Sequence, residues 1–314
     1  MEVWQIIVLI VSGLLLLLII SYCISLNILF HIMFKRLKKE ILLTDVDLEK
    51  THYKPFMNMV IRNMNVFSMI PYYKVSITSK DGLKLYGKYY KCGDSKKTAI
   101  FFHGYHADPL NNVNTPGLKL LKEGYNLLVI TERAHGESEG KYITFGVKEK
   151  EDALLWVDYV NNNYNPESII LWGVSMGCAI VEMISNKLPN NVKALILDCG
   201  FTGAYEEVHY SIRHKSKMPL KLTIKLLSLL CKMHGFKLEK GGAINALKET
   251  KIPALFIHGK NDQMVPLSMG NSNYLACNSE KEQLLIDAGH AVSIYVGYDE
   301  ISKKLDEFLG KYVK

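Results

Sequence analysis

Three side chains in this 314-residue sequence, Ser175, Asp262 and His290, have the types and the chain order needed for nucleophilic attack on a carbonyl carbon. A serine hydroxyl is a poor nucleophile near neutral pH. It needs a base within hydrogen-bond reach, and the base needs an acceptor that fixes its tautomer. Ser175 stands in Gly173-Val174-Ser175-Met176-Gly177, between the apolar run Ser168–Trp172 and the helical pattern Met176–Leu188. A strand, a sharp turn and a helix in that order lift the hydroxyl clear of a sheet. Gly173 and Gly177 flank it because side chains there would collide with the turn and its neighbours. The helix that follows aims its free N–H groups and positive dipole end at the site. His290 is the expected base and Asp262 the acid that orients it. Asp198, at the end of the run Lys193–Leu197, is the rival acid. Asp287 lies too near His290 in sequence for that role and is expected to brace the loop instead.

Three roles supplied from separate segments require a scaffold that brings segment ends together. Tyr73–Thr78 and Lys84–Tyr90 flank Lys80-Asp81-Gly82, a hairpin signal. Short apolar runs follow at Thr98–Phe102, Asn126–Ile130, Ser168–Trp172, Lys193–Leu197, Ala254–Ile257 and Gln283–Ile286. They are apolar almost throughout, as strands buried on both faces should be. Helical patterns such as Phe145–Asn162, Met176–Leu188 and Ile294–Val313 separate most of them. An antiparallel start followed by strand–helix units predicts an α/β fold, a mostly parallel sheet flanked by helices. Ligands of such sheets bind at the carboxyl ends of the strands. Ser175, Asp262 and His290 each fall just beyond such an end.

The run Thr131-Glu132-Arg133-Ala134-His135-Gly136-Glu137-Ser138-Glu139-Gly140 resembles the D-x-R-x-H-G-x-S-x-G loop of α/β-hydrolases. Together with Gly173–Gly177, Asn191–Gly200, His258–Pro266 and Gly289–Ala291, it is similar to the bacterial, membrane-anchored branch related to Bem46-like and serine-aminopeptidase-type hydrolases. The likeness covers about residues 72–314. Glu132 replaces the usual Asp of that loop, which touches only fine geometry. The resemblance implies that Arg133 and His135 are structural. It implies an oxyanion hole made by the backbone N–H groups of Tyr105, after His103-Gly104, and of Met176. His103 is then a loop-fixing residue rather than the base. It also makes the stretch from about 201 to 250 a helical lid. Within that stretch Pro219 opens a helix running to about His234, with Gly235 as its C-cap. Lys217, Lys221, Lys225, Ser228 and Lys232 share one face of it, while Leu222, Leu226, Leu229, Leu230 and Met233 take much of the rest. Packing of the apolar side on the core, or contact of a basic amphipathic helix with anionic lipid, are the two readings of that pattern.

Residues 3–30 carry no charge and include five consecutive leucines, Leu14–Leu18. A helix there is long enough to cross a hydrocarbon core of about 30 Å, which needs about 20 apolar residues. Glu2 precedes it, with no Lys or Arg, and a bulky Tyr22 stands before Cys23, so an uncleaved anchor is expected rather than a signal peptide. Lys35, Arg36, Lys38 and Lys39 follow the run, which places the rest of the chain on the cytoplasmic side. The expected order is an anchor over 1–34, a helical connector over 35–71 and the hydrolase domain over 72–314. Six scattered cysteines with no C-x-x-C pair suit free thiols in a reducing compartment. The net charge of +7 is modest and no basic-aromatic signature points to nucleic acid. No cofactor or metal is expected. The expected function is a serine hydrolase cleaving an ester or thioester with an apolar acyl part. An acyltransferase, a peptidase or amidase with the same triad, and a non-catalytic binding module on this fold are the alternatives.

Overall fold

The computed structural model describes residues 2–37 and 53–313. Its centre is one eight-stranded sheet: β1 (Tyr73–Thr78), β2 (Lys84–Tyr90), β3 (Lys97–Phe102), β4 (Asn126–Ile130), β5 (Ser168–Val174), β6 (Val192–Asp198), β7 (Ala254–Gly259) and β8 (Lys281–Ile286). The spatial order is β1-β2-β4-β3-β5-β6-β7-β8. β1 pairs antiparallel with β2, and β2 with β4. Every other neighbouring pair is parallel. β4 and β5 are buried at every position, so they read in the sequence as unbroken apolar runs rather than as alternations.

Helices cover both faces. α1 (Val3–Phe34) precedes the sheet, and α2 (Met57–Ser68) packs on α3 (Pro109–Lys122). Asp108 caps α3 by accepting from the Leu110 N–H, and Pro109 fits its first turn, where no N–H is needed. Gly117 of α3 lets Phe67 of α2 approach as closely as a side chain would forbid. α4 (Glu149–Tyr164) and α5 (Met176–Ile184) follow β4 and β5. Between β6 and β7 lies a lid-like helical region of α6 (Ala204–Lys215), α7 (Leu220–Met233) and α8 (Ile244–Glu249). α9 (Leu267–Ala276), α10 (Ser293–Val296) and α11 (Tyr298–Tyr312) complete the chain. The expected last helix, Ile294–Val313, is therefore two helices that meet at Gly297, where a Cβ would press on the Ile286 side chain.

α1 has 32 residues, about 48 Å of helix at 1.5 Å per residue. It is the one described helix long and apolar enough to cross a membrane. From Val3 to Ile20 its large apolar side chains are exposed, but Leu26, Phe30 and Phe34 are buried in the core shared with the sheet. Phe30 stacks on His234, and Phe34 meets Phe145 and Phe236. Arg36, expected as a membrane-flanking charge, donates to the carbonyls of Ser138 and Gly136. Lys38, Lys39 and much of the expected connector lie outside the described residues.

α7 runs where the pattern predicts, but it turns a different face inward. Thr223, Ile224, Leu227 and Cys231 are buried, while Leu222, Leu229 and Met233 point outward. A helix that is apolar most of the way round gives periodicity no single stripe to select. All six cysteines are free.

Candidate active site

The parallel register of β5, β6 and β7 sets three strand ends side by side, with Val174 beside Asp198 and Asp198 beside Ile257. Ser175 follows the first of these ends at φ 55°, ψ −115°, a strained backbone for a non-glycine residue. Its N–H donates to the Asp198 carbonyl at 2.8 Å, and its own carbonyl accepts from Ala179 at 3.0 Å. Those two bonds hold the elbow between β6 and α5. A Cβ on Gly177 would overlap the backbone of Phe102, and one on Gly173 would meet the Cys178 backbone at 2.5 Å. The glycines are thus required by close approach of the β3 end and of α5.

Ser175 Oγ–H donates to Nε2 of His290 at 2.9 Å, and Nδ1–H of His290 donates to Oδ2 of Asp262 at 2.7 Å. Asp262 is 7 % exposed, and its other oxygen accepts from the N–H groups of Met264 and Val265, each at 2.9 Å. Burial alone would raise this carboxyl. His258, His290 and the Val265 N–H outweigh it and hold the group well below the usual carboxylate range. Asp262 therefore stays ionised and acts only as an acceptor.

Sequence reasoning gave His258 no role. Its Nε2–H donates to the Val265 carbonyl at 3.0 Å and lies 3.5 Å from Oδ2 of Asp262. Burial pulls its imidazole down, but the Asp262 carboxylate and that carbonyl more than offset this and leave it raised. His258 thus holds the far side of the Asp262 turn. Gly270 of α9 makes room for its ring. The strongest sequence signal for this was its position four residues before Asp262.

Asp198 comes near this group but does not join it. Its Oδ1 meets no partner among the described residues, and burial pushes its carboxyl up to about 6. Asp287 accepts from Asn261 Nδ2 at 2.6 Å at the surface, which ties the two loops that carry Asp262 and His290. The Cys199 thiol lies within 4.8 Å of the Asp262 and His290 ligand atoms, and burial pushes it well above its ordinary value.

The loop after β3 lies against the nucleophile: a Cβ built on Gly104 would sit 3.5 Å from that of Ser175. His103 holds the loop from below. Its Nδ1–H donates to the Gly104 carbonyl at 2.8 Å, and Nε2 accepts from the Glu132 N–H at 3.0 Å. Burial lowers its imidazole to about 4, in keeping with a neutral, structural ring. His135 accepts at Nε2 from the His106 N–H at 3.1 Å. Arg133 is locked between Asp81 and Asp152, with contacts of 2.9 and 2.5 Å. These three residues are structural in the folded chain, and the Asp81 of the first hairpin is the partner that sequence spacing did not reveal. Glu132 is fully buried, its Oε1 without a partner among the described residues, and burial raises its carboxyl well above the ordinary range.

A cavity of about 370 Å³ opens on Ser175 and His290. That volume is in the range of small-molecule pockets. Its walls are mostly apolar: Phe145, Phe201, Ile212, Val265 and, from α1, Leu29 and Met33. Besides Ser175 and His290, polar side chains from the lid-like region reach the wall: Glu207, Ser211, Lys215 and Ser216. Glu207 of α6 is 7 % exposed, accepts from Ser211 at Oε1 and has no partner at Oε2 among the described residues. Burial pushes its carboxyl up to about 8. A Glu beside Glu206 on an amphipathic helix carried no sequence signal.

Residues 93–241 match the family described as serine aminopeptidase, S33. The uncharacterized protein YqkD of Bacillus subtilis is 27 % identical over 237 residues, 74 % of this chain and 77 % of that protein. The α/β hydrolase domain-containing protein WAV2 of Arabidopsis thaliana is 24 % identical over 250 residues, 77 % of this chain and 79 % of its own length. Among solved structures, the Pyrococcus furiosus esterase Pf2001 superposes with a TM-score of 0.63 at 28 % identity, covering 81 % of this chain and 95 % of that one.

Proposed function

We propose that this chain, a serine hydrolase that belongs to the α/β-hydrolase superfamily, cleaves carboxylic esters or thioesters of apolar acids through an acyl-enzyme at Ser175. The observation that carries the reading is the apolar cavity that opens on the hydrogen-bonded Ser175–His290 pair. Ser175 Oγ attacks the carbonyl carbon as His290 Nε2 takes its proton. The imidazolium is stabilised by the ionised Asp262, which keeps the proton of Nδ1 in place. The tetrahedral oxyanion is assigned to the N–H groups of Tyr105 and Met176. Contact of the Gly104 loop with Ser175 and the position of Met176 at the start of α5 support that assignment. Collapse expels the alcohol or thiol, which takes the proton from His290. A water molecule then gives its proton to His290, attacks the acyl-enzyme and releases the acid.

The esterase relative favours ester cleavage over peptide cleavage, and the apolar walls favour an apolar acyl group. The detergent-solubilised full chain is expected to label with a fluorophosphonate and to turn over aryl esters and acyl thioesters well above the matching anilides. Rapid anilide cleavage with inert esters would refute the substrate class while leaving the nucleophile in place.

The anchor assignment rests on the exposed apolar length of α1. The hydrolase is placed on the cytoplasmic face because Lys35 and Arg36 follow that helix and Glu2 alone precedes it. Protease added to intact spheroplasts is expected to leave the domain whole, and to degrade it only after lysis. Shaving from outside would reverse the topology.

A further inference from the structure

We propose that the membrane-spanning helix is itself one wall of the substrate pocket, and that the pocket takes the long acyl chain of an ester reaching Ser175 from the bilayer along that helix. This rests on the serine-hydrolase reading above and extends it to the source and shape of the substrate.

The helix is longer than its membrane task. About 20 residues cross the hydrocarbon core, and α1 has 32. The surplus is at its C-terminal end, inside the protein, where Leu26, Phe30 and Phe34 are buried. Leu29, Ile32 and Met33, at spacings of three and four, share one side of the helix. They line the same cavity as Ser175 and His290. A helix that served only as a tether would need neither the burial nor the shared cavity.

The helix end is also fastened to the loop beside the nucleophile. The Tyr105 hydroxyl donates to the carbonyls of Ile32 and Met33, at 3.2 and 2.8 Å. These are carbonyls of the last turn, which lack partners within the helix. The residue whose N–H is assigned to the oxyanion thus holds the anchor with its side chain.

The lid places the pocket near the bilayer surface. Tyr22 of α1 shares a hydrogen bond with Thr223 of α7 at 2.9 Å, and Phe30 stacks on His234 just beyond that helix. α7 therefore runs beside α1 through the zone where α1 leaves the lipid. Its outward Leu222, Leu229 and Met233 are 48, 52 and 73 % exposed. Lys215, the last residue of α6, and Ser216, which caps it, stand at the cavity. An acyl chain that moves from lipid to this cavity along Leu29, Ile32 and Met33 avoids exposing its length to water, the step that the hydrophobic effect opposes.

The test uses the full chain reconstituted in phosphatidylcholine vesicles, with 4-methylumbelliferyl dodecanoate and acetate as probes. Leu29→Trp and Met33→Trp narrow the wall. Each is expected to lower the ratio of kcat/KM for dodecanoate over acetate by about tenfold or more. Asn27→Trp, on the opposite side of the same helix and exposed, is expected to leave that ratio unchanged. Fluorophosphonate labelling of Ser175 reports on the folded site in every variant. Where a Trp variant does not label, Leu29→Ala replaces it, and the ratio is then expected to rise for chains longer than dodecanoyl. An unchanged ratio in the Leu29 and Met33 variants, or an equal fall with Asn27→Trp, overturns the proposal. Wild-type chain that does not label at all points instead to failure of the hydrolase reading.

Discussion

Replacing Ser175 with alanine is expected to abolish covalent labelling by a fluorophosphonate and to lower ester turnover by about 10⁶-fold. The loss is large because every bonded step passes through one atom. In the proposed mechanism the acyl-enzyme forms on Ser175 Oγ, and the His290 imidazole 2.9 Å away has no hydroxyl proton to take once it is gone. The substitution removes one oxygen from a side chain that is 9 % exposed, so the fold should survive it. The elbow is held by backbone bonds to Asp198 and Ala179, which alanine keeps. Intact-protein mass spectrometry after labelling, together with circular dichroism, checks both halves. Full labelling of the variant at another residue would end the assignment of the nucleophile.

The second large effect is expected at Asp262. Asp262→Asn should lower kcat by about 10⁴-fold. An amide in place of the carboxylate can present an N–H to Nδ1 of His290. The ring then protonates at Nε2, the nitrogen that must accept from Ser175. The variant also removes the charge that stabilises the imidazolium, and it unbalances His258, 3.5 Å from the same oxygen. Asp198→Asn should cost far less, because Asp198 Oδ1 meets no partner among the described residues and its carboxyl is already pushed toward the neutral form. Steady-state kinetics of the two variants on one aryl ester decides between the acids. A reversed order of effects would move the role to Asp198.

Both acids stand just past strand ends in the sequence, one strand apart, and nothing local separates them. The separation comes from the turn after β7. Asp262 lies three residues past Gly259, in a loop whose N–H groups at 264 and 265 rotate its carboxylate toward His290. Asp198 is still within β6, where its carbonyl supports the elbow and its Oδ1 finds no partner among the described residues. A hydrogen bond between residues 28 positions apart depends on strand register and turn geometry, and no spacing rule encodes either.

The sequence by itself determined the elements and the chemistry they carry. Strands buried on both faces must be apolar throughout, so β3 to β7 could be read as runs, with ends a residue or two off. The elbow needs glycines on both sides of its serine for steric reasons that act within five residues, so Ser175 was legible. Alternation around Asp-Gly fixed the first hairpin, because that turn is a local preference of the backbone.

Tertiary structure alone decided what long-range packing decides. Asp81, in that hairpin, turned out to hold Arg133 from 52 residues away, a pairing that only the antiparallel start of the sheet creates. α7 chose its buried face by what lay beneath it, since its own sequence is apolar nearly all round. Glu207 became a buried carboxyl in a cavity wall, pushed up by that burial, because the lid-like region sets α6 over the site. That α1 is long and apolar enough to cross a membrane was legible from its composition, which is a sum over one segment. That its last turns also line the cavity at Ser175 depends on contacts with Tyr105, His234 and Phe236, and composition cannot express a contact.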